Sequence, residues 1–249
     1  MRAAGHIAQA DAVSAHAPAE RVAGPTRAVD RRRPRVLLLA VTGVALGIAV
    51  WQERTVPLHW LGAALVHEDP VRPADVVIVS VASMRGAALD AAKLYRRGLV
   101  REVWVPRWAT IPIDRRLDKR GLGTLPLHEV ARRILEGSGV PASHIVILDH
   151  PVDGLESEMA VVGAALGARP VTRPILLTAR SHTARARHLL QVVYAPAAGV
   201  RIRAPHTDEF TPTGWWRDHG STRELVLEYL KWFKLLTAGP SLHPDDFAR

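Results

Sequence analysis

The chain has 249 residues, of which 48% are hydrophobic and 23% charged, a composition typical of a globular protein with a sizeable core. It contains no cysteine, which excludes disulfides, thiolate metal sites and a cysteine nucleophile. The formal net charge of +9 suggests a phosphate-bearing partner. However, the arginines are spread along the chain and no nucleic-acid recognition motif is present, so we expect no nucleic-acid partner.

The N-terminal part predicts a membrane anchor. Residues 1–35 are rich in Ala, Gly and Arg, and are predicted to be a disordered basic tail. The anchor is assigned to residues 36–52, because no charge occurs from Val36 to Trp51, slightly fewer residues than the roughly 17–25 usual for a span. The same segment could instead be the apolar region of a secretory signal or a buried core helix.

The anchor is favoured because about thirty residues precede the segment and a bulky residue ends it, both unusual for a signal. Arginines directly before the segment then predict a single-pass membrane protein with a cytoplasmic N-terminus. The rest of the chain is expected in the periplasm or outside the cell.

Beyond the anchor, residues 53–73 are predicted to be a connector broken by prolines, and residues 239–249 a C-terminal tail. Residues 74–238 alternate short apolar runs with amphipathic stretches. The predicted strands are 75–79, 102–106, 144–148, 175–178 and 200–203. The predicted helices are 84–97, 125–136, one capped by Asp153 with Glu156, 181–194 and 221–236, with a basic loop over 108–123. This alternation predicts a three-layer α/β domain with a mainly parallel sheet of about five strands.

The segment Pro174–Arg187 is the strongest candidate for a site, because ligands bind beyond the carboxyl ends of parallel strands. Thr178 ends the fourth strand, Ser181 is placed to cap the next helix, and His182 and Arg185 follow in its first turns. A helix N-terminus favours a neutral imidazole, which can serve as a general acid or base. An arginine one turn on can bind a phosphate or carboxylate. The alternative is a plain cap followed by solvated side chains.

Three further charged residues follow or precede predicted helix starts. Arg85 is a candidate second anion ligand, and Glu158 a candidate to orient His182 or to hold a metal; Glu129 is less specific. For each, the alternative is an ordinary surface charge. No P-loop, GxGxxG, GxSxG or HExxH motif occurs, and no histidine pair has metal-ligand spacing, so no metal site is assigned and the cofactor is left open.

The order of five segments resembles the DUF218, or YdcF-like, family, which includes the SanA- and ElyC-type envelope proteins. The resemblance runs from about residue 61 to residue 236. The matching segments are PADVVIVSVASMRGAALDAAKLYRRGLV, LHEVARRILEGSGVPASHIVIL, DGLESEMA, ILLTARSHTARARHLL and ELVLEYLKWFKLL. Within them, the residues that fall on family motif positions are Arg85, Glu129, Glu158, Ser181, His182, Arg185, Glu228 and Lys231.

The resemblance implies a Rossmann-like fold, often behind one N-terminal span, and a role in maintaining the cell-envelope or peptidoglycan barrier. It implies an anionic ligand that is phosphate-bearing, nucleotide-like or a lipid-linked phosphate. If the protein is an enzyme, the expected class is a phosphoryl-group hydrolase or transferase with His182 as acid or base and Glu158 assisting.

The chain departs from the family where Ser80–Ser83 replaces a Gly-rich turn, since side chains there hinder the approach of a phosphate. That difference supports a second hypothesis, a divergent, non-catalytic envelope scaffold or interaction protein. A third hypothesis, a soluble nucleotide-binding enzyme, requires the apolar segment to be a core helix. The oligomeric state stays open.

Overall fold

The computed structural model of the protein describes residues 32–53, 55–123 and 125–241, so most of the predicted disordered tail lies outside the described residues. The chain divides into two compact units, residues 1–51 and 52–249. Helix α1 (Arg32–Glu53) covers the predicted anchor and begins inside the predicted tail. Its large apolar side chains from Leu38 to Trp51 are exposed. Across the described residues, no helix is both long and apolar enough to cross a membrane.

The second unit is built on a five-stranded sheet, which confirms the predicted α/β class. The strands are β1 (Val76–Val79), β2 (Glu102–Trp108), β3 (Ile145–Val152), β4 (Pro174–Leu177) and β5 (Arg201–Arg203). All neighbouring strands pair in parallel, in the order β3-β2-β1-β4-β5. This is the strand order of Rossmann-type sheets, in which the direction of winding reverses between β1 and β4. The continuous apolar runs arise because both faces of such a sheet are covered.

The two faces carry different helices because successive side chains of a strand point to opposite sides. Val77 and Val79 face the layer formed by α3 (Met84–Arg96) and α5 (Leu127–Gly137). Val76 and Ile78 face the layer formed by α6 (Leu155–Gly167) and α7 (Thr183–Val193). The result is the predicted three-layer arrangement.

Two helices flank this core. Helix α8 (His219–Ala238) starts at Asp218, whose carboxylate accepts a hydrogen bond from the Ser221 amide at 2.7 Å. Helix α2 (Thr55–Ala64) forms within the predicted connector, so the absence of regular structure expected there is wrong. Pro57 lies in its first turn, where a helix has no amide hydrogen bond for proline to break. The Tyr229 hydroxyl of α8 donates to the Leu61 carbonyl of α2 at 2.8 Å.

Two local predictions are also wrong. The predicted loop at 108–123 contains the short helix α4 (Pro112–Asp118), which starts with proline in the position that favours a helix start. Helix α6 is preceded by Gly154 rather than by an Asp153 cap. The Ser157 hydroxyl, not Glu156, accepts from the Asp153 and Gly154 amides at 3.0 and 3.2 Å. The predicted C-terminal tail is described only to residue 241.

Candidate functional site

A cavity of about 740 Å³, called the rim cavity below, opens where several strands end. Its walls come from the segments that follow β1, β3 and β4, from the end of β2 and from α8. Its lining is Val81, Ala82, Trp108, Leu127, Asp153 to Glu158, His182, Arg185, Lys231, Lys234 and Ser241. The segments after three parallel strands therefore meet at one edge of the sheet. The position next to β1 and β4 is where ligands bind in sheets of this winding.

Glu158 supplies a buried carboxyl group to the rim cavity. It is 1% exposed, and accepts a hydrogen bond from the Ser80 hydroxyl at 3.0 Å and one from the Val81 amide at 3.1 Å. The Thr178 hydroxyl donates in turn to the Ser80 oxygen at 3.1 Å. Burial raises the pKa of Glu158 to about 7, against the opposing effect of these hydrogen bonds. The carboxyl group therefore carries a proton over much of the range below neutral pH.

Two backbone amides of the turn after β1 donate hydrogen bonds to side chains of the protein itself. The Val81 amide donates to Glu158, and the Ala82 amide donates to the Ser80 hydroxyl at 3.4 Å. In a glycine-rich turn such amides point at a bound phosphate. Here the Ser80 hydroxyl and the Glu158 carboxyl group accept the hydrogen bonds that a phosphate would accept there. This gives a physical reason for a serine at position 80.

A second charged cluster joins α7 to α8 at the edge of the rim cavity. Glu228 is 1% exposed and accepts hydrogen bonds from Nε and Nη2 of Arg185 at 2.5 and 3.2 Å. Lys231 Nζ lies 3.5 Å from the same carboxylate and is about half exposed. The sequence left two interpretations of Arg185 open, a solvated charge or a ligand for a phosphate. The structure shows neither, because the guanidinium is paired with Glu228. Lys231 and Lys234 of α8 also line the cavity, and both are exposed to solvent.

His182 lies against the same carboxylate, with Nε2 at 3.3 Å from Glu228 Oε2. Burial lowers the pKa of His182 to about 4, although the Glu228 charge acts in the opposite direction. The imidazole is therefore neutral at physiological pH, and burial is the largest cause. Its buried Nδ1 atom has no hydrogen-bond partner among the described residues. One ring nitrogen of this lining residue is thus buried without a protein partner among the residues that the structure describes.

The structure gives Ser181 a different role from the predicted cap. Residues Arg180–His182 form a 3₁₀ turn, and α7 begins only at Thr183. The Ser181 hydroxyl is buried and donates to Glu224 of α8 at 3.2 Å. Its contribution is a contact between the turn before α7 and helix α8, and Ser181 does not line the rim cavity.

Arg85 and Glu129 are not brought to the rim cavity. Arg85 is exposed on α3, because the 3₁₀ turn Val81–Ser83 separates it from the end of β1. Glu129 pairs with Arg132 one turn along α5 at 3.4 Å. Neither residue is part of the lining. Thr178 contributes indirectly, through the Ser80 hydroxyl.

Three contributors were not predicted from residue patterns. Glu228 and Lys231 were noted only through the family resemblance, and Ser80 only as a departure from it. A usable signal did exist for Glu228, since it shares a helix face with the buried Leu225 and Leu235. A carboxylate on a buried face requires a charged or hydrogen-bonding partner.

Over the part of the chain that is described, no group of three His, Asp or Glu residues is placed to hold a metal ion.

Comparison with known proteins adds no assignment. No family model matches this chain, and neither the curated proteins nor the solved structures give a significant match.

Proposed function

We propose that this protein binds a small anionic ligand, phosphate-bearing or nucleotide-like, in the rim cavity. The observation that supports this most directly is a pair of lysines in the lining, Lys231 and Lys234 of α8, together with Glu158, whose pKa is raised to about 7. The two other acidic side chains of the lining accept hydrogen bonds from the protein: Asp153 from the Ser157 hydroxyl and Glu156 from the Ser241 amide. A protonated carboxyl does not repel an anion and can donate a hydrogen bond to it. The volume is within the range usual for small-molecule sites.

Two groups of the lining, Glu158 and His182, suit acid–base chemistry on such a ligand. At neutral pH, Glu158 can supply a proton and the neutral His182 can accept one, since burial moves their pKa values in opposite senses. If the protein is an enzyme, hydrolysis or transfer of a phosphoryl group is the reaction that this pair and the nearby lysines would serve. The acid would protonate the leaving oxygen, and the base would activate the attacking group.

A second candidate function is a non-catalytic envelope scaffold. It is favoured by one observation: the Val81 and Ala82 amides after β1, and the guanidinium of Arg185, are bound to protein side chains. Donors that are bound within the protein are not free to bind an anion, as expected of a scaffold that has lost the ability to bind a ligand. The two candidates differ in whether any anion binds.

By its resemblance to the DUF218 family, we also propose attachment to a membrane through α1 and a role in the cell envelope, with the second unit outside the cytoplasm. Support comes from the uncharged stretch 36–51 and from the exposed apolar side chains of Leu38, Leu46 and Trp51. Cell fractionation tests attachment, with a variant carrying Leu38→Lys and Leu46→Lys as the comparison. A reporter after Arg249 that is active only in the cytoplasm would contradict the topology.

The ligand proposal is tested by titration calorimetry of the full-length chain with inorganic phosphate and with a nucleoside monophosphate. We expect Lys231→Ala to weaken binding about tenfold, the effect of losing one charge-assisted contact. Lys119→Ala, an exposed lysine outside the cavity, is the control and should leave the affinity unchanged. Binding of neither probe would reject the ligand and favour the scaffold.

Catalysis is tested separately, by release of phosphate from an aryl phosphate monoester. His182→Gln should abolish turnover while leaving the calorimetric affinity within a few-fold. Affinity without turnover in the unmodified chain would limit the function to binding.

A further inference from the structure

A second cavity, of about 320 Å³, lies against α3 and is separate from the rim cavity. Four of its residues, Asp90, Lys93, Leu94 and Arg97, follow the spacing of a single helix face. The remaining lining comes from Val71, from Leu177 and Arg203 at the ends of β4 and β5, and from the loop residues Ala204 and His206. It shares no lining residue with the rim cavity. We call it the α3 cavity.

The only carboxylate in this lining is already neutralised. Asp90 is 5% exposed, and its Oδ1 accepts from Lys93 Nζ at 2.9 Å. Its Oδ2 accepts from the His206 amide at 2.6 Å and lies 2.8 Å from His206 Nδ1. Asp90 therefore holds the loop after β5 against α3, and its charge is matched by Lys93.

Two arginines in the lining have no carboxylate partner. Among the described residues, no ion pair engages Arg97 or Arg203, and the one bond from Arg203 goes to the Asp69 carbonyl at 3.3 Å. Arg97 is exposed and Arg203 half-buried. The α3 cavity therefore carries two guanidinium charges that no acidic group of the lining offsets. Guanidinium groups bind carboxylates and phosphates through paired hydrogen bonds.

The floor of the α3 cavity is apolar. Leu94, Leu177 and Ala204 line it but are nearly covered, at 8%, 1% and 3% exposed, and Val71, 38% exposed, adds apolar surface to the lining. A bare inorganic ion would leave this surface unfilled. A ligand with an apolar body and a single oxyanion would cover the floor and meet both arginines, which is the usual composition of a small-molecule site.

From this arrangement we infer that the α3 cavity is a second ligand site, for a small organic oxyanion with an apolar body: a carboxylate or a phosphate monoester. The inference does not depend on the function proposed for the rim cavity. Phenylacetate and phenyl phosphate have the required chemistry and differ in the oxyanion, so the pair distinguishes the two classes. Benzyl alcohol has the body without the charge, and inorganic phosphate has the charge without the body.

The test is titration calorimetry of the full-length chain carrying Lys231→Ala, which weakens the rim cavity without touching the α3 cavity. We expect at least one aryl anion to bind, and benzyl alcohol and inorganic phosphate to bind at least about tenfold more weakly. Adding Arg97→Gln should weaken the aryl anion about tenfold, since one charge-assisted contact is lost. Arg97 is exposed, so this change should not disturb folding.

Arg96→Gln is the matched control, because Arg96 is the adjacent arginine of α3 but lies outside the lining. It should leave the affinity unchanged. Failure of both aryl anions to bind, or an equal loss in the Arg96 and Arg97 variants, would overturn the inference. Because Arg97 lines the α3 cavity and not the rim cavity, the effect of Arg97→Gln reports on the α3 cavity alone.

Discussion

Arg185 of α7 and Glu228 of α8 form a bidentate ion pair that is almost completely buried, with side-chain exposures of 4% and 1%. Both charges have left water, so each depends on the other for compensation. The pair fixes α7 against α8 at the edge of the rim cavity. Removing the ion pair therefore tests how much of the geometry of the rim cavity depends on this one contact.

The first prediction concerns the stability of this pair. Glu228→Gln leaves the Arg185 charge buried without a counter-charge, which should lower the free energy of unfolding by about 3–5 kcal/mol. Urea denaturation measures the loss. Glu129→Gln breaks the more exposed pair with Arg132 and should cost at most about 1 kcal/mol.

The double variant Arg185→Leu with Glu228→Leu sharpens this prediction. Because it removes both charges together, it should be more stable than either single variant. Additive losses from the two single changes would show that the side chains act independently, contrary to the geometry.

The central strands β1 and β4 were predictable because each is a continuous apolar run, the pattern that a sheet covered on both faces requires. The run at Val76–Val79 is an example, found within one residue of its predicted start. Parallel strands then placed Glu158 and His182 at the same edge. Fold class and the approximate location of the site follow from this local information.

The direction in which each side chain points could not be predicted from this local information. Arg185 finds its partner 43 residues away on α8, a separation that no local pattern encodes. Arg85 was expected at the site, but a 3₁₀ turn after β1 turns it to solvent. Ser181 has a sequence context typical of a cap, and instead bonds to Glu224. Such contacts are determined by tertiary packing, and local secondary-structure propensity carries no information about them.

The second prediction is a pH dependence from Glu158. Its pKa is raised from 4.5 to about 7 in the folded chain, so its contribution to stability is fully present below 4.5 and is lost as the pH rises through about 7. Relative to Glu158→Gln, the unmodified chain should lose about 3 kcal/mol between about pH 5 and about pH 8. Urea denaturation at the two pH values checks this. Glu136→Gln, at an exposed site, should leave the pH dependence unchanged.

The third prediction has the opposite sign. The pKa of His182 is lowered from 6.5 to about 4 by burial, so the unfolded chain takes up a proton before the folded chain does. Stability is therefore lost as the pH falls from about 6.5 towards 4. His182→Gln should remove about 2 kcal/mol of this loss at about pH 5. A wild-type imidazole that titrates near its ordinary pKa in an NMR titration would contradict the burial effect.

The fourth prediction concerns the docking of α2. A Cβ atom at Gly62 would lie 2.0 Å from the backbone carbonyl oxygen of Pro212, a contact that cannot exist without movement of the backbone. Gly62→Ala should therefore lower the free energy of unfolding by about 1–3 kcal/mol, the usual cost of overpacking. Gly167→Ala is the control, because nothing lies within 4 Å of a Cβ there and alanine favours the helix. If chemical denaturation finds both variants as stable as the parent, α2 is not packed against the segment that contains Pro212.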